Sequence, residues 1–224
     1  MSSITQDSTK MKNLLLILFV AALAPAGFGQ TKPIEYSIDE KIRAVVESKI
    51  NDSLFLDLPM QGMQMYMNPM ILDYWENDSL LLSRNNPKQG MVFKSFFYNL
   101  GDTLIIDGAY GMFGGTGFSI KFIDGAPVVY HMLASDEIPS YSETVDGELQ
   151  YRIEVPCEHV KLTLSSIPII GDTNEIYGMV SFTSKDYYHS VGTSNGEEIK
   201  PRNKTKVYMK IYFKSGYFDV DKMR

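Results

Sequence analysis

The stretch Lys206-Val207-Tyr208-Met209-Lys210-Ile211-Tyr212-Phe213-Lys214 decides the fold class of this chain, because its side chains alternate strictly in polarity. The apolar residues fall on odd positions, and the lysines and tyrosines fall on even positions. A two-residue period is typical of a strand with one buried face and one wet face. Such strands belong to antiparallel sheets, so this stretch predicts an antiparallel β domain.

The same alternation continues upstream, at residues 149–155 and 160–164. Turn signals such as Asp124-Gly125 and Asn195-Gly196 separate the apolar runs. Further strands are predicted at residues 91–98, 103–110, 117–123, 128–133 and 176–184. We therefore predict one all-β, mainly antiparallel domain over residues 53–224, built as a β-sandwich or a lipocalin-like barrel of about 8–10 strands.

One amphipathic helix is predicted ahead of the sheet, within the N-terminal segment 30–52. Ser37 and Glu40 match the capping-box pattern S-x-x-E. The apolar positions that follow a 3.6-residue period are Ile38, Ile42, Val45, Val46 and Ile50. We expect this helix to pack against the sheet or to close the end of a barrel.

Residues 1–29 are predicted to be a secretory signal peptide. Lys10 and Lys12 precede an apolar run from Leu14 to Ala24, which is too short to span a bilayer as a permanent anchor. Small residues favour cleavage between Gly29 and Gln30. No cysteine lies near this cut, so the mature chain is not expected to be a lipoprotein.

Either Met1 or Met11 fits as the start of the chain. We predict a bacterial protein that is free in the periplasm or secreted, with no membrane span after removal of the signal. The formal charge is −6, and it becomes −7 because residues 1–29 hold two lysines and one aspartate. An acidic chain argues against nucleic acid as a partner, because counterion release needs clustered Lys and Arg. Cys157 is the only cysteine, so no intrachain disulfide is possible.

Five methionines lie close together in the sequence. Thioethers are soft ligands that suit Cu(I), so an exported segment of this kind resembles the methionine motifs of periplasmic copper-handling proteins. The alternative is that Met63, Met65 and Met67 line one face of a strand as adaptable core filling, or form a flexible apolar surface for a partner. The methionines are Met60, Met63, Met65, Met67 and Met70.

Other chemical motifs are weak. The glycines at 111, 114, 115 and 117 precede an alternating strand and not a helix, so we interpret them as a hairpin connection and not as a phosphate loop. His131, His159 and His189 lack the spacing of a local zinc motif. Cys157 and His159 would point the same way on an extended segment, but a thiol that is simply buried is the simpler interpretation. We assign no catalytic residue and no cofactor.

A recognition surface is predicted from aromatic and basic side chains. Exposed rings stack on sugars or peptide partners, and lysines on a wet strand face attract acidic ligands. The residues predicted to form it are Tyr74, Trp75, Tyr208, Lys210 and Tyr212. The alternative is that the rings belong to the core and the lysines to an ordinary solvated sheet face.

Three tripeptides of the form Asp-Ser/Thr-Leu occur, at residues 52–54, 78–80 and 102–104. In the simpler interpretation their polar side chains bond the local backbone in a turn before a strand begins. The tripeptides also resemble an Asp-Ser/Thr-aliphatic O-glycosylation signal that some bacterial envelopes use.

From the sequence we predict an exported, non-catalytic binding or envelope-interaction protein whose partner is a small molecule, a glycan or an envelope protein. One alternative is a periplasmic Cu(I)-handling protein that uses the methionine segment. Another is a carbohydrate-active hydrolase whose carboxylates meet only in the folded chain.

Overall fold

The structure, a computed structural model, describes residues 34–50, 63–111, 114–136, 138–143, 147–170 and 174–220, with the backbone alone at residues 87–89. All of them belong to one unit, Thr31–Arg224. The predicted signal peptide and Met60 lie outside the described residues, so both remain predictions. Within the described ranges, no helix has the length and apolar character needed to cross a membrane.

Strands dominate the chain. The eight long strands are β2 (Gln64–Glu76), β3 (Ser79–Leu100), β4 (Thr103–Tyr110), β5 (Gly115–Ile123), β6 (Ala126–Ala134), β8 (Arg152–Leu164), β9 (Ile176–Ser184) and β13 (Asn203–Tyr217). The short strands are β1 (Glu35–Ile38), β7 (Tyr141–Ser142), β10 (Tyr187–His189), β11 (Thr193–Ser194) and β12 (Glu197–Glu198). Helix α1 (Ile42–Glu47) is the one helix of the described chain. The prediction of a mainly antiparallel β domain with one helix is confirmed.

Strand pairing follows the order β8–β6–β5–β4–β3–β2–β13, and every neighbouring pair along this path is antiparallel. Strand β9 then pairs with both β13 and β8, so the pairings return to the strand at which the path began. Strand β1 adds to β8 in parallel, and β10 and β7 extend the sheet beyond β13. The glycine-rich stretch joins β4 to β5 as a hairpin connection, as predicted.

The N-terminal segment differs from its prediction. Ser37 does not cap a helix, because residues 35–38 form β1, and its hydroxyl lies 3.1 Å from that of Thr163 on β8. Helix α1 starts only at Ile42, and Ile38 and Val45 are 45% and 41% exposed. The remaining apolar positions of the predicted face do pack against the sheet, next to Tyr177, Met179 and Tyr212.

Strand β8 is continuous where the alternation predicted two strands. Residues 159 and 160 together stand opposite the single residue 182 of β9, which makes a β-bulge. His159 sits in this bulge with a φ of 52° and is exposed, whereas Cys157 is buried. The expectation that these two side chains point the same way is therefore wrong, because the extra residue of a bulge breaks the alternation.

One side of the sheet is packed with apolar side chains. On β13 the alternation is as predicted: Val207, Met209, Ile211 and Phe213 are buried, and the even-numbered residues between them are half-buried. Large aromatic side chains from the other strands meet them in one cluster, which includes Tyr66, Phe93, Phe97, Tyr110, Phe118 and Phe182. We call this the inner face, and the opposite side the outer face.

The pairing of β2 with β13 ends at Ile71, and two residues further towards the start of β2 lies Pro69, whose ring nitrogen has no hydrogen to donate to a ladder. Beyond this point, the side chain of Tyr66 makes hydrogen bonds to β13 of the kind that a paired strand would make. Its hydroxyl accepts a hydrogen bond from the Lys214 N–H at 2.7 Å and lies 3.3 Å from the Lys214 carbonyl. The amide of Asn68 donates to the Tyr212 carbonyl at 2.5 Å. Side chains thus satisfy backbone groups of β13 that β2 does not reach.

Candidate ligand-binding face

The outer face of β2 and β13 presents aromatic and basic side chains in register. Trp75 lies opposite Lys206, Asp73 opposite Tyr208, and Ile71 opposite Lys210. Directly opposed residues of an antiparallel pair share a face. All five residues that we name as the ligand-binding face are half-buried, and they are Asp73, Trp75, Lys206, Tyr208 and Lys210.

Two lysines of this face have no ion-pair partner among the described residues. Lys204 and Lys214, at the two ends of the same strand face, pair with Asp78 and Glu175. Lys206 and Lys210 form no such pair, and the ammonium group of Lys210 lies 5.4 Å from the ring centroid of Tyr212. The one carboxylate of the face, on Asp73, accepts a hydrogen bond from the Ser83 hydroxyl at 2.5 Å. The face therefore offers two lysine ammonium groups that form no ion pair with an acidic side chain of the described chain.

Two of the predicted surface residues, Tyr74 and Tyr212, are not part of the ligand-binding face. Tyr74 points to the inner face, where it packs against the core and its hydroxyl donates to Glu76 at 3.4 Å. Tyr212 is on the outer face but is partly covered, because it packs against the cluster of Ile42, Val46 and Tyr177 beneath α1. Trp75, Tyr208 and Lys210 do come together, and Lys206, from the same lysine- and tyrosine-bearing strand face, joins them opposite Trp75.

The methionines are divided between the two faces of β2. Met65 and Met67 lie on the outer face, opposite Lys94 and Val92, and Met63 immediately precedes the strand. Met70 is buried on the inner side, since a register shift follows Pro69. Met65 and Met67 share one face of the strand, as the alternative predicted, but this is the half-buried outer face, so they do not fill the core. Nowhere in the described chain do three or more His, Cys, Asp or Glu side chains group as a metal site.

A polar cluster lies on the outer face of β3, β4, β5 and β8. Its centre is Asp107, which is 4% exposed. Oδ2 of Asp107 accepts a hydrogen bond from the Tyr98 hydroxyl at 3.1 Å and lies 3.6 Å from Nη2 of Arg152. Oδ1 of Asp107 and the Ser119 hydroxyl are buried without a hydrogen-bond partner in the described chain. No local pattern in the sequence predicts this cluster, because its members come from four different strands.

Burial raises the pKa of Asp107, because a buried carboxylate loses hydration. The Arg152 guanidinium and the Tyr98 hydroxyl oppose that shift, and Ser119 lies close enough to oppose it without meeting hydrogen-bond geometry. Nη2 of Arg152 also lies 3.4 Å from Oε1 of Glu154, whose other oxygen pairs with Lys121. Two carboxylates and two cations thus neutralise each other, and Asp107 is too deeply buried to meet a substrate.

A second polar cluster lies on the inner side where β2, β10 and β13 meet. Nδ1 of His189 lies 2.8 Å from the Thr205 hydroxyl, and its Nε2 lies 3.5 Å from Oε2 of Glu76. The order Thr205, His189, Glu76 resembles the nucleophilic hydroxyl, base and orienting carboxylate of a catalytic triad. Thr205, however, is 1% exposed, so its hydroxyl does not reach a substrate. Burial lowers the pKa of His189, and Glu76 opposes that shift.

The remaining candidates for catalysis are buried or separated. His131 is fully buried, and its Nε2 lies 2.7 Å from the Thr116 hydroxyl. Burial lowers the pKa of His131 to about 3 and raises that of the Cys157 thiol well above its ordinary value. The thiol is therefore protonated and unreactive at neutral pH.

Comparison with known proteins identifies no relative: no family model matches the chain, and neither curated proteins nor solved structures include a significant match.

Proposed function

We propose that this chain is an exported, non-catalytic binding protein that recognises an acidic glycan of the cell envelope on the ligand-binding face. In this proposal residues 1–29 direct export and are removed near Gly29/Gln30, and the mature protein acts in the periplasm or outside the cell. We further propose that the eight long strands form a closed barrel and not a sandwich, since their pairings return to β8 through β9.

The packed inner face supports an external site. A lipocalin-like protein holds its ligand between the strands, and that space must then be free of large side chains. Here aromatic residues from six strands occupy it, and Tyr66, Phe93, Phe118 and Phe213 are fully buried. A ligand of this domain therefore meets the outer surface.

The observation that carries the proposal is that Lys206 and Lys210, on either side of Tyr208, have no ion-pair partner in the described chain. Alternate residues of a strand are about 7 Å apart, so the three side chains form a row along which an extended acidic ligand can lie. Trp75, beside Lys206, adds an aromatic ring of the kind on which sugars stack. In a chain of net negative charge, cations without an ion-pair partner are the feature that selects an anion.

Calorimetric titration of the mature protein, residues 30–224, with an oligogalacturonate and with a neutral oligosaccharide of equal length tests this proposal. We expect the acidic oligosaccharide alone to bind. Replacing Lys206 or Lys210 with Ala removes one exposed charge contact, worth up to about 1 kcal/mol or fivefold in Kd. We expect Trp75→Ala to weaken binding of the same ligand because it removes the stacking surface.

The matched control is Lys41→Ala, which removes the same charge from an exposed position next to α1. We expect its Kd to equal that of the unaltered protein. Equal affinity for the neutral oligosaccharide, or binding that Lys206→Ala and Lys210→Ala leave unchanged, would contradict the proposal.

A further inference from the structure

The tripeptides Asp78-Ser79-Leu80 and Asp102-Thr103-Leu104 occupy equivalent positions in the fold. Each begins at the second residue of a tight turn, which is Asn77-Asp78 with φ of 48° and 66° in one case and Gly101-Asp102 with φ of 59° at the glycine in the other. Ser79 is the first residue of β3, and Thr103 is the first residue of β4. The turns lie at opposite ends of β3, so the sequence is repeated where no shared surface requires it.

Turn formation accounts for the backbone at both places but not for the hydroxyl groups. If these residues stabilised the turns through their side chains, each hydroxyl would bond to nearby backbone. Neither the Ser79 nor the Thr103 hydroxyl makes a hydrogen bond to the described chain, whereas Ser83 bonds to Asp73 at 2.5 Å. Ser79 is exposed and Thr103 is half-buried. The turn explanation thus leaves both hydroxyls without a structural role.

We propose that Ser79 and Thr103 are O-glycosylated after export. The hydroxyl oxygen forms a bond to the anomeric carbon of an activated sugar, supplied as a lipid-linked pyrophosphate. The bond between that carbon and the phosphate oxygen breaks, the pyrophosphate leaves with the electron pair, and a base of the transferase takes the hydroxyl proton. The preceding Asp is the feature that the transferase reads at each turn. The exposed Leu80 adds to it at the first turn, whereas Leu104 packs against the core at the second. This modification is independent of the acidic-glycan site, because neither hydroxyl belongs to the ligand-binding face.

Mass spectrometry tests the proposal on the full chain, expressed with its N-terminal segment in a bacterium that O-glycosylates its exported proteins. We expect peptides that contain Ser79 and Thr103 to carry a glycan in the exported fraction. Ser79→Ala and Thr103→Ala should each remove one glycan and leave the other in place. Unmodified Ser79 and Thr103, in cells whose own exported proteins carry the glycan, would overturn the proposal.

Two further variants separate recognition of the tripeptide from simple accessibility. Asp78→Asn keeps the Ser79 hydroxyl but removes the carboxylate, and we expect it to abolish the glycan at Ser79. Asp78 also pairs with Lys204, so Lys204→Ala is the matched control and should leave the glycan in place. Retention of the glycan in Asp78→Asn, or its loss in Lys204→Ala, would show that the tripeptide is not what is recognised.

Discussion

Tyr66 shows how one side chain replaces a missing segment of strand pairing. Its hydroxyl is within hydrogen-bond distance of both the N–H and the carbonyl of Lys214, in a region where β2 no longer pairs with β13. A buried backbone group that loses its partner costs roughly 1–3 kcal/mol. The tyrosine is therefore required for its oxygen as well as for its ring.

We expect Tyr66→Phe to lower the free energy of unfolding by about 1–3 kcal/mol, because the ring still fills the core while the Lys214 N–H loses its acceptor. Urea denaturation measures this change. Tyr151→Phe is the control, since Tyr151 is 54% exposed, and it should be neutral. Equal stability of the two variants would mean that water replaces the hydroxyl.

The direction of side chains was predictable from sequence where the alternation is regular. The prediction failed where a single residue interrupts the alternation. The buried and half-buried positions of β13 follow the predicted parity without exception between residues 207 and 213. Tyr74 and Trp75 were predicted together, yet adjacent residues on a strand necessarily face opposite ways. His159 points away from Cys157 only because of the bulge, which depends on the partner strand β9.

At the scale of elements, the packing of core side chains over strand β9 depends on a glycine. A Cβ atom placed on Gly178 would lie 2.3 Å from Cζ of Phe213 and 2.8 Å from Cδ2 of Leu164. Both neighbours are fully buried, so neither has free space into which to move. The absent side chain at this position allows the aromatic core to pack against the strand.

We expect Gly178→Ala to destabilise the domain by about 1–3 kcal/mol through overpacking. Thermal denaturation followed by circular dichroism measures the loss. Gly90→Ala is the matched control within another strand, because its Cβ would meet no atom closer than 3.4 Å. A stable Gly178→Ala variant would indicate that Phe213 has room to rearrange.

Whether a segment becomes a strand or a helix was predictable for the long elements and not for the N-terminal segment. Seven of the eight long strands contain a predicted strand because each carries its own alternation or apolar run, whereas β2 was considered only as one interpretation of its methionines. Residues 35–38 form a strand only because β8 lies beside them, 126 residues further along the chain. A local helix pattern cannot reveal a pairing that distant, so Ser37 was misassigned as a cap.

At the scale of the whole molecule, a fully buried histidine limits the pH range in which the fold is stable. The folded pKa of His131 is about 3, below its ordinary 6.5, because burial disfavours the charged ring. Between these values the unfolded chain binds a proton that the folded chain does not. Stability is therefore lost as the pH falls below 6.5, by roughly 1.4 kcal/mol for each pH unit. His189, whose pKa is also lowered, acts in the same direction.

We expect urea midpoints measured from pH 7 to pH 4 to fall with decreasing pH, and His131→Gln to flatten this dependence. NMR titration of the His131 ring should show no protonation in that range. His159→Gln, at an exposed position, should keep the full slope. Protonation of the His131 ring above pH 5 in the folded protein would contradict the assignment.

The ligand-binding face was only partly predictable, because it is assembled from two segments about 130 residues apart in sequence. The residue types were recognisable in each segment, whereas the opposition of Trp75 to Lys206 depends on the register of β2 against β13. The Asp107 cluster could not be predicted, since its members come from four strands and share no local spacing.

Trp75 is the only tryptophan of the chain, and it lies on the face that we propose to be functional. Intrinsic fluorescence excited at the red edge of the protein band therefore originates from a single site. The emission of this indole reports occupancy of the face directly, with no attached dye and no other tryptophan to obscure the signal. The protein thus contains its own optical sensor for a search among unlabelled ligands.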